Sequence, residues 1–317
     1  MWYLQGSNQG HMDFQSIALP SELRYRAIIS LCSYFTRSSM NLFAGANIES
    51  FLVYPKHFLK KINSYLRPDK YLVMILVIDV GNSRIKAAVF EGDTLFEIFI
   101  FSNIELQKNI VNILKKFEKI TDLVVSSVGE VEKQSFLEYE NRVNVHFLNH
   151  DDPFPFYNSY ATPTTLGIDR MVLAAGATLQ FPKMNRLVVD AGTCVTYDFI
   201  DEENNYLGGA ISPGLRLRYE VLHNFTAKLP LLSLDSPKNF IGNATTESIH
   251  SGVVNGLVFE IDGFIAAYKA KYSNFIIILT GGDTDFLAKR LKNTIFANSN
   301  FLLESLNQTF QYKIKND

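Results

Sequence analysis

The sequence predicts an α/β protein made of two similar halves, each a mixed sheet flanked by helices. Three observations carry that prediction. Strand-like apolar runs alternate with amphipathic helix patterns throughout residues 74–317. One short grammar occurs twice, as Val77-Ile78-Asp79-Val80-Gly81-Asn82-Ser83 and as Val188-Val189-Asp190-Ala191-Gly192-Thr193: an apolar strand, Asp, a small residue, Gly, then a hydroxyl or amide. A further glycine pair, Thr280-Gly281-Gly282-Asp283, directly follows the most apolar strand. Two like halves with such strand ends facing each other enclose a cleft.

Each element follows from its local pattern. Residues 75–78 are an apolar run, 84–90 alternate, and 95–101 are again strand-like, with Gly-Asn and Gly-Asp turns between them, which reads as a three-stranded meander. Residues 103–120 place Ile110, Ile113, Leu114 and Phe117 on one helical face. A strand over 122–128, a polar helix over 132–141 and a strand over 143–148 follow. A loop rich in Pro, Tyr and Thr spans 151–165, and an Ala-rich helix over 171–181 closes the first half. The second half opens the same way, with strands over 186–190, 193–200 and 205–211. Helices over 215–228 and 245–271 come next, then a strongly apolar strand over 274–280, and finally a helix, a short strand and a last helix.

Composition narrows the function. The 317 residues carry 30 Lys+Arg against 32 Asp+Glu, for a formal net charge of −2. That balance excludes a chain built chiefly to grip nucleic-acid phosphates. Cys32 and Cys194 supply neither a disulfide framework nor a zinc cluster, which points to a reducing, cytoplasmic setting. No apolar run approaches the roughly 18 residues of a spanning helix, so no membrane partner is expected. Residues 27–35, preceded by Arg24 and Arg26, read as a short buried or interfacial helix. The first 73 residues stand apart, with many more basic than acidic side chains and short, irregular apolar pieces.

The motifs point to phosphate chemistry. A carboxylate at the end of a buried strand can reach a hydrated metal ion, and the adjacent glycine lets backbone approach a phosphate. In the first copy Asn82 and Ser83 add donors and Lys86 a point charge; in the second, Thr193 would meet phosphate and Asp190 a cation. Gly-Asn alone is ordinary hairpin chemistry, and the repetition is what favours a nucleotide. Neither G-x-x-x-x-G-K-[ST] nor G-x-G-x-x-G is present, which disfavours the P-loop and Rossmann routes and leaves an actin-like, sugar-kinase-like arrangement. Asp169 stands just before the helix over 171–181, either as its N-cap or as an acid–base group in a pocket with Arg170 and Tyr160. His150, His223 and His250 lack metal-ligand spacing and read as caps or surface residues, and Cys194 as a small core residue.

Five segments together resemble, in order and spacing, the motifs of the type III pantothenate kinases of the acetate/sugar kinase, Hsp70 and actin superfamily. They are Asp79-Val80-Gly81-Asn82-Ser83-Arg84-Ile85-Lys86, Gly167-Ile168-Asp169-Arg170, Asp190-Ala191-Gly192-Thr193, Gly208-Gly209-Ala210-Ile211-Ser212-Pro213-Gly214 and Thr280-Gly281-Gly282. The resemblance covers residues 74–317. It implies two ribonuclease H-like (actin-like ATPase) domains, 74–182 and 183–317, with the nucleotide in the interdomain cleft, and leaves 1–73 as an extension outside the catalytic fold. It implies ATP-dependent phosphorylation of pantothenate at its primary hydroxyl, toward coenzyme A, with Mg2+ and a monovalent cation, K+ or NH4+. On the same resemblance, the Asp79 to Lys86 hairpin and Thr193 bind ATP, and Asp190 holds the monovalent cation. Tyr160, Gly167, Ile168, Asp169, Arg170 and Thr245 contact pantothenate, with Asp169 as proton acceptor. Ser83 stands where the family more often has Thr, so the hydroxyl is kept. A homodimer is implied as well. Two alternatives stay open: another small-molecule kinase of the superfamily, and a nucleotide-binding regulatory protein without turnover.

Overall fold

The computed structural model describes residues 74–81, 84–127 and 133–316, which belong to one compact unit. Residues 1–73, with Cys32 and the helix expected over 27–35, lie outside the described residues, as do Asn82 and Ser83. The first half comprises β1 (Met74–Val80), β2 (Ile85–Glu91), β3 (Thr94–Phe101), α1 (Leu106–Lys116), β4 (Ile120–Ser127), α2 (Gln134–Leu137) and β5 (Asn144–Phe147). Next come β6 (Tyr157–Asn158), α3 (Ile168–Gln180), β7 (Asn185–Ala191), β8 (Cys194–Ile200), β9 (Asn205–Pro213), α4 (Leu215–Asn224) and the long helix α5 (Thr245–Lys271). The chain closes with β10 (Phe275–Thr280), α6 (Thr284–Ala288), β11 (Phe296–Ala297) and α7 (Phe301–Asn316).

The two sheets repeat one topology. Their orders are β3-β2-β1-β4-β5 and β11-β10-β7-β8-β9-β6, so the second sheet read backwards matches the first, with β6 added beside β9. In each, three strands form an antiparallel meander and the next two run parallel to its first strand. The duplication seen in the Asp-x-Gly grammar is therefore a duplication of whole sheets.

Strand alternation sorts the apolar side chains into three cores. On the outer face of the first sheet, Leu76, Ile78 and Leu123 pack against Leu106, Ile110 and Ile113 of α1. On its inner face, Ile75, Val77 and Val124 meet α3 and α7, whose other sides pack on Val188 and Ile278 of the second sheet. The outer face of the second sheet, with Leu187, Val189 and Leu279, is covered by Leu215 of α4 and by Leu257, Ile261 and Ile265 of α5. The Ala-rich run of α3 is explained by how closely α7 approaches: a Cβ at Gly176 would lie 1.9 Å from Ser305 Oγ. Two elements cross the expected division at 182/183, since β6 pairs with β9 and α7 packs on β1, β2 and β4.

Several boundaries differ from the sequence reading. α3 starts at Ile168, not 171, and α1 stops at Lys116, where Lys115 and Lys116 occupy its last turn. α2 is a single turn, and α4 ends at Asn224. Helix α5 is long and apolar enough to cross a membrane by length and composition alone, contrary to the expectation that no such segment exists. Its buried Leu257, Ile261 and Ile265 nevertheless belong to the core of the second sheet.

Candidate active site

Strand register brings the two motif copies to equivalent places. Asp79 at the end of β1 is paired with Lys86 on β2 and Ser126 on β4; Asp190 at the end of β7 is paired with Thr196 on β8 and Thr280 on β10. Residues in register lie on one face of a sheet, so each half offers a carboxylate flanked by a hydroxyl. Asp79 is 7% exposed, and its Oδ1, Ser126 Oγ and Thr280 Oγ1 are buried without a hydrogen-bond partner among the described residues. Buried oxygens left in this way are costly, which suits a site that receives a ligand.

The charges act on one another across the two halves. Burial pushes the Asp79 carboxyl up to about 7, the charges of Asp169 and Asp190 add to the rise, and Lys86 opposes it. Asp190 is likewise pushed up to about 7, by burial and then by Asp169, again against Lys86. Burial also raises Asp169, whose carboxylate accepts the Arg170 backbone N–H at 2.9 Å. Lys86 opposes the rise at Asp79 and Asp190 and Arg170 opposes it at Asp169, yet all three carboxyls stay raised, so ionising them in this poorly solvated place is costly and cations would relieve the cost. Among the described residues no three His, Cys, Asp or Glu side chains form a metal-holding group. A divalent ion would therefore rest on one or two carboxylates and on nucleotide phosphates, the usual manner of Mg2+.

Asp169 is not the N-cap that its position suggested. Gly167 takes that place, and Asp169 is the second residue of the first turn of α3, where its charge suits the helix dipole. A Cβ at Gly167 would lie 2.3 Å from Asp169 Oδ1, so glycine leaves room for the carboxylate to fold back. Arg170 is 6% exposed and turns inward, where Asp198 of β8 pairs with it at 2.7 Å. Its guanidinium stands 5.9 Å from the centre of the Tyr160 ring. Tyr160 in turn lies on Gly208, whose φ of +98° favours glycine; a Cβ there would sit 3.2 Å from that ring and press on it. The structure thus brings together Tyr160, Gly167, Ile168, Asp169 and Arg170.

The remaining motif residues divide into backbone supports and exposed groups. Val80 and Ile85 are buried in the first hairpin, while Arg84 is exposed. Gly208 to Pro213 belong to strand β9, and Gly214 N donates to Thr193 O at 3.0 Å, joining the end of that strand to the second hairpin, where Thr193 is exposed. Gly281, with φ +98°, lies against Asp190; a Cβ there would fall 2.4 Å from Asp190 Oδ1. Thr245 starts α5 and lines a concavity with Leu229, Gly242 and Ile249 whose walls include none of the three aspartates. Two minor readings are corrected. Cys194 is exposed, because the first residue of β8 emerges from the turn, and His250 is buried, with Nδ1 2.8 Å from the Tyr219 hydroxyl. Sequence reasoning missed Ser126, Asp198 and Tyr206, and named Thr280 only as the start of a glycine motif. An Asp between Tyr197 and Phe199 in a strand was the one available signal, since strands disfavour Asp.

Two like mixed sheets flanked by helices, with electrostatically linked aspartates at matching strand ends, define an α/β protein of duplicated topology with a charged site suited to phosphate and cations. A solved Campylobacter jejuni structure of the Baf family shares the fold at TM-score 0.50 and 22% identity, over 76% of this chain and 99% of that one. Residues 75–267 match the family described as type III pantothenate kinase. The type III pantothenate kinase of Flavobacterium johnsoniae is 72% identical over 244 residues, which is 77% of this chain and 100% of that protein. Its counterpart from Flavobacterium psychrophilum is 65% identical over 240 residues, 76% of this chain and 100% of that one. The chain belongs to the type III pantothenate kinase family.

Proposed function

We propose that this protein transfers the γ-phosphoryl group of ATP to the primary hydroxyl of pantothenate, giving 4′-phosphopantothenate at the start of coenzyme A biosynthesis. The observation that carries the proposal is the electrostatic convergence of Asp79, Asp169 and Asp190 with Lys86, within a chain of this family. Phosphoryl transfer passes through a loose transition state, so positioning and charge neutralisation do most of the catalysis.

In this reading the hairpin from Asp79 to Lys86, with Thr193 opposite, grips the ATP phosphates, Lys86 as a point charge. Asp79 is the carboxylate placed to hold Mg2+, which when bound neutralises phosphate charge. Asp190 takes K+ or NH4+, and the unpartnered Thr280 hydroxyl in register with it supports a cation there. Asp169 orients the acceptor hydroxyl and takes its proton. Its raised pKa makes it a better base than an ordinary carboxylate. Tyr160, Gly167, Ile168, Arg170 and Thr245 form the acceptor side. The division into domains 74–182 and 183–317 and a cytoplasmic location are part of the same reading. So is a homodimer, for which the exposed Val221, Phe240, Ile241 and Phe259 on the α4–α5 side offer an apolar face.

The test is ADP release with ATP and Mg2+, with and without pantothenate, in potassium, ammonium and sodium buffers. Pantothenate-dependent release that needs potassium or ammonium is the expected result. Folded protein that releases no ADP with pantothenate in any of the three salts overturns the proposal.

A further inference from the structure

Arg170 stands next to the proposed base, yet its guanidinium is turned into the protein. Nε and Nη2 both meet Asp198 Oδ1, at 2.8 and 2.7 Å. Asp198 has no exposed surface at all. The same oxygen accepts the Tyr206 hydroxyl at 2.6 Å, and Oδ2 accepts Thr196 Oγ1 at 3.1 Å. Burial raises the Asp198 carboxyl, against the opposing pull of Arg170, Tyr206 and Thr196. Arg170, which burial alone would lower, is held above its ordinary value by Asp198. Tyr160, beneath the guanidinium, also lies 6.1 Å from the Tyr206 ring, centre to centre. One carboxylate therefore ties the first turn of α3 to β8, to β9 and to the Tyr160 wall.

A buried ion pair of this kind is a poor way to gain stability, because desolvating two charges offsets much of their attraction. What it does supply is direction: a planar guanidinium held at two nitrogens has little freedom to swing. We propose that Asp198 is a positioning residue for the acceptor side of the reaction, holding Arg170 so that the first turn of α3, with Asp169, and the Tyr160 ring keep their places. It acts through Arg170 and contacts neither substrate. This proposal rests on the pantothenate reaction above.

Steady-state kinetics of the full chain test it. Asp198→Asn is expected to lower kcat/KM for pantothenate on the order of 100-fold, the scale of a misplacement near 1 Å, with KM for ATP unchanged within about threefold. Tyr206→Phe, which removes one donor and keeps the ion pair, is expected to shift the same parameter in the same direction by less. In an Arg170→Gln background, adding Asp198→Asn should lower kcat/KM for pantothenate no further. Equal rises in both KM values, an unchanged pantothenate parameter in folded protein, or independent losses in the double variant would each overturn the proposal. If Asp198→Asn does not fold, Tyr206→Phe and Thr196→Val carry the same comparison. Amide exchange of the ligand-free protein gives a readout without turnover: peptides over 157–170 should exchange faster in Asp198→Asn, or in Tyr206→Phe in its place, while β1 is unchanged. Unchanged exchange over 157–170 overturns the positioning role. Wild-type protein that fails to phosphorylate pantothenate overturns the assigned reaction instead, and leaves the exchange result to judge Asp198.

Discussion

The two sheets place a carboxylate at the same point and surround it differently. Asp79 is in register with Lys86, whereas the corresponding neighbour of Asp190 is Thr196. Both carboxyls nevertheless reach about 7, because burial raises each of them first and Lys86 opposes the rise at both. The duplicated fold thus supplies the position of the charge, and the adjoining strand decides whether a counter-charge is built in. The half with the lysine carries its own cation, and the half with the threonine is the one we assign to potassium or ammonium.

Four measurements break or sharpen that comparison. Asp169 comes from α3, between the sheets, and should matter most: Asp169→Asn is expected to lower kcat by about 10²–10⁴-fold. The KM for pantothenate should stay within a few-fold, and comparable losses in both would make Asp169 a binding group instead. Next, Asp190→Asn should cost about 100-fold in kcat/KM and abolish the response to potassium, while Asp79→Asn loses similar activity and keeps that response. Potassium titrations in which both variants behave alike would dissolve the distinction between the halves.

The glycines beside the two carboxylates should differ in the same sense. Gly281→Ala places a Cβ 2.3 Å from Ala191 O at φ +98°, and should destabilise by roughly 1–3 kcal/mol in urea unfolding. At Gly81 the nearest atom would be Arg84 O at 3.1 Å with no positive φ, so Gly81→Ala should cost less, below about 1 kcal/mol. The smallest effect is on pH dependence. Asp79 and Asp190 have folded pKa values near 7 against 3.8 ordinarily, so between those values only the folded state holds their protons. Their contribution is complete at low pH and is lost as pH rises through 7. In ligand-free protein Asp79→Asn and Asp190→Asn should therefore raise Tm relative to wild type by a few degrees at pH 8 and by little at pH 5; a pH-independent difference in calorimetry would refute this.

Local pattern made much of this legible. β1 and β7 carry runs of Val, Ile and Leu that lead into Asp-x-Gly, and their repetition announced both the second sheet and the equivalent strand-end positions of Asp79 and Asp190. Helix starts were harder, since Gly167 to Arg170 reads equally as an approach to a helix and as its first turn. Asp198 shows in the sequence only as an Asp inside a strand, and its role was hidden for a different reason. Tyr197-Asp198-Phe199 alternates as a strand with an outward polar residue would, and which face meets α3 depends on packing between elements far apart in sequence. Ser126 and Thr280 matter only through their neighbours in register, and Cys194 and His250 carry no local sign of which side they occupy.

Helix α7 has a consequence for synthesis. Phe301, Leu303, Leu306 and Phe310 of α7 cover Ile75, Val77 and Phe90 on the inner face of the first sheet. That sheet leaves the ribosome well before α7 does, so its inner face stays uncovered until residues 301–310 have been made. A chain interrupted before α7 would present an adhesive, unfinished sheet rather than a shortened enzyme.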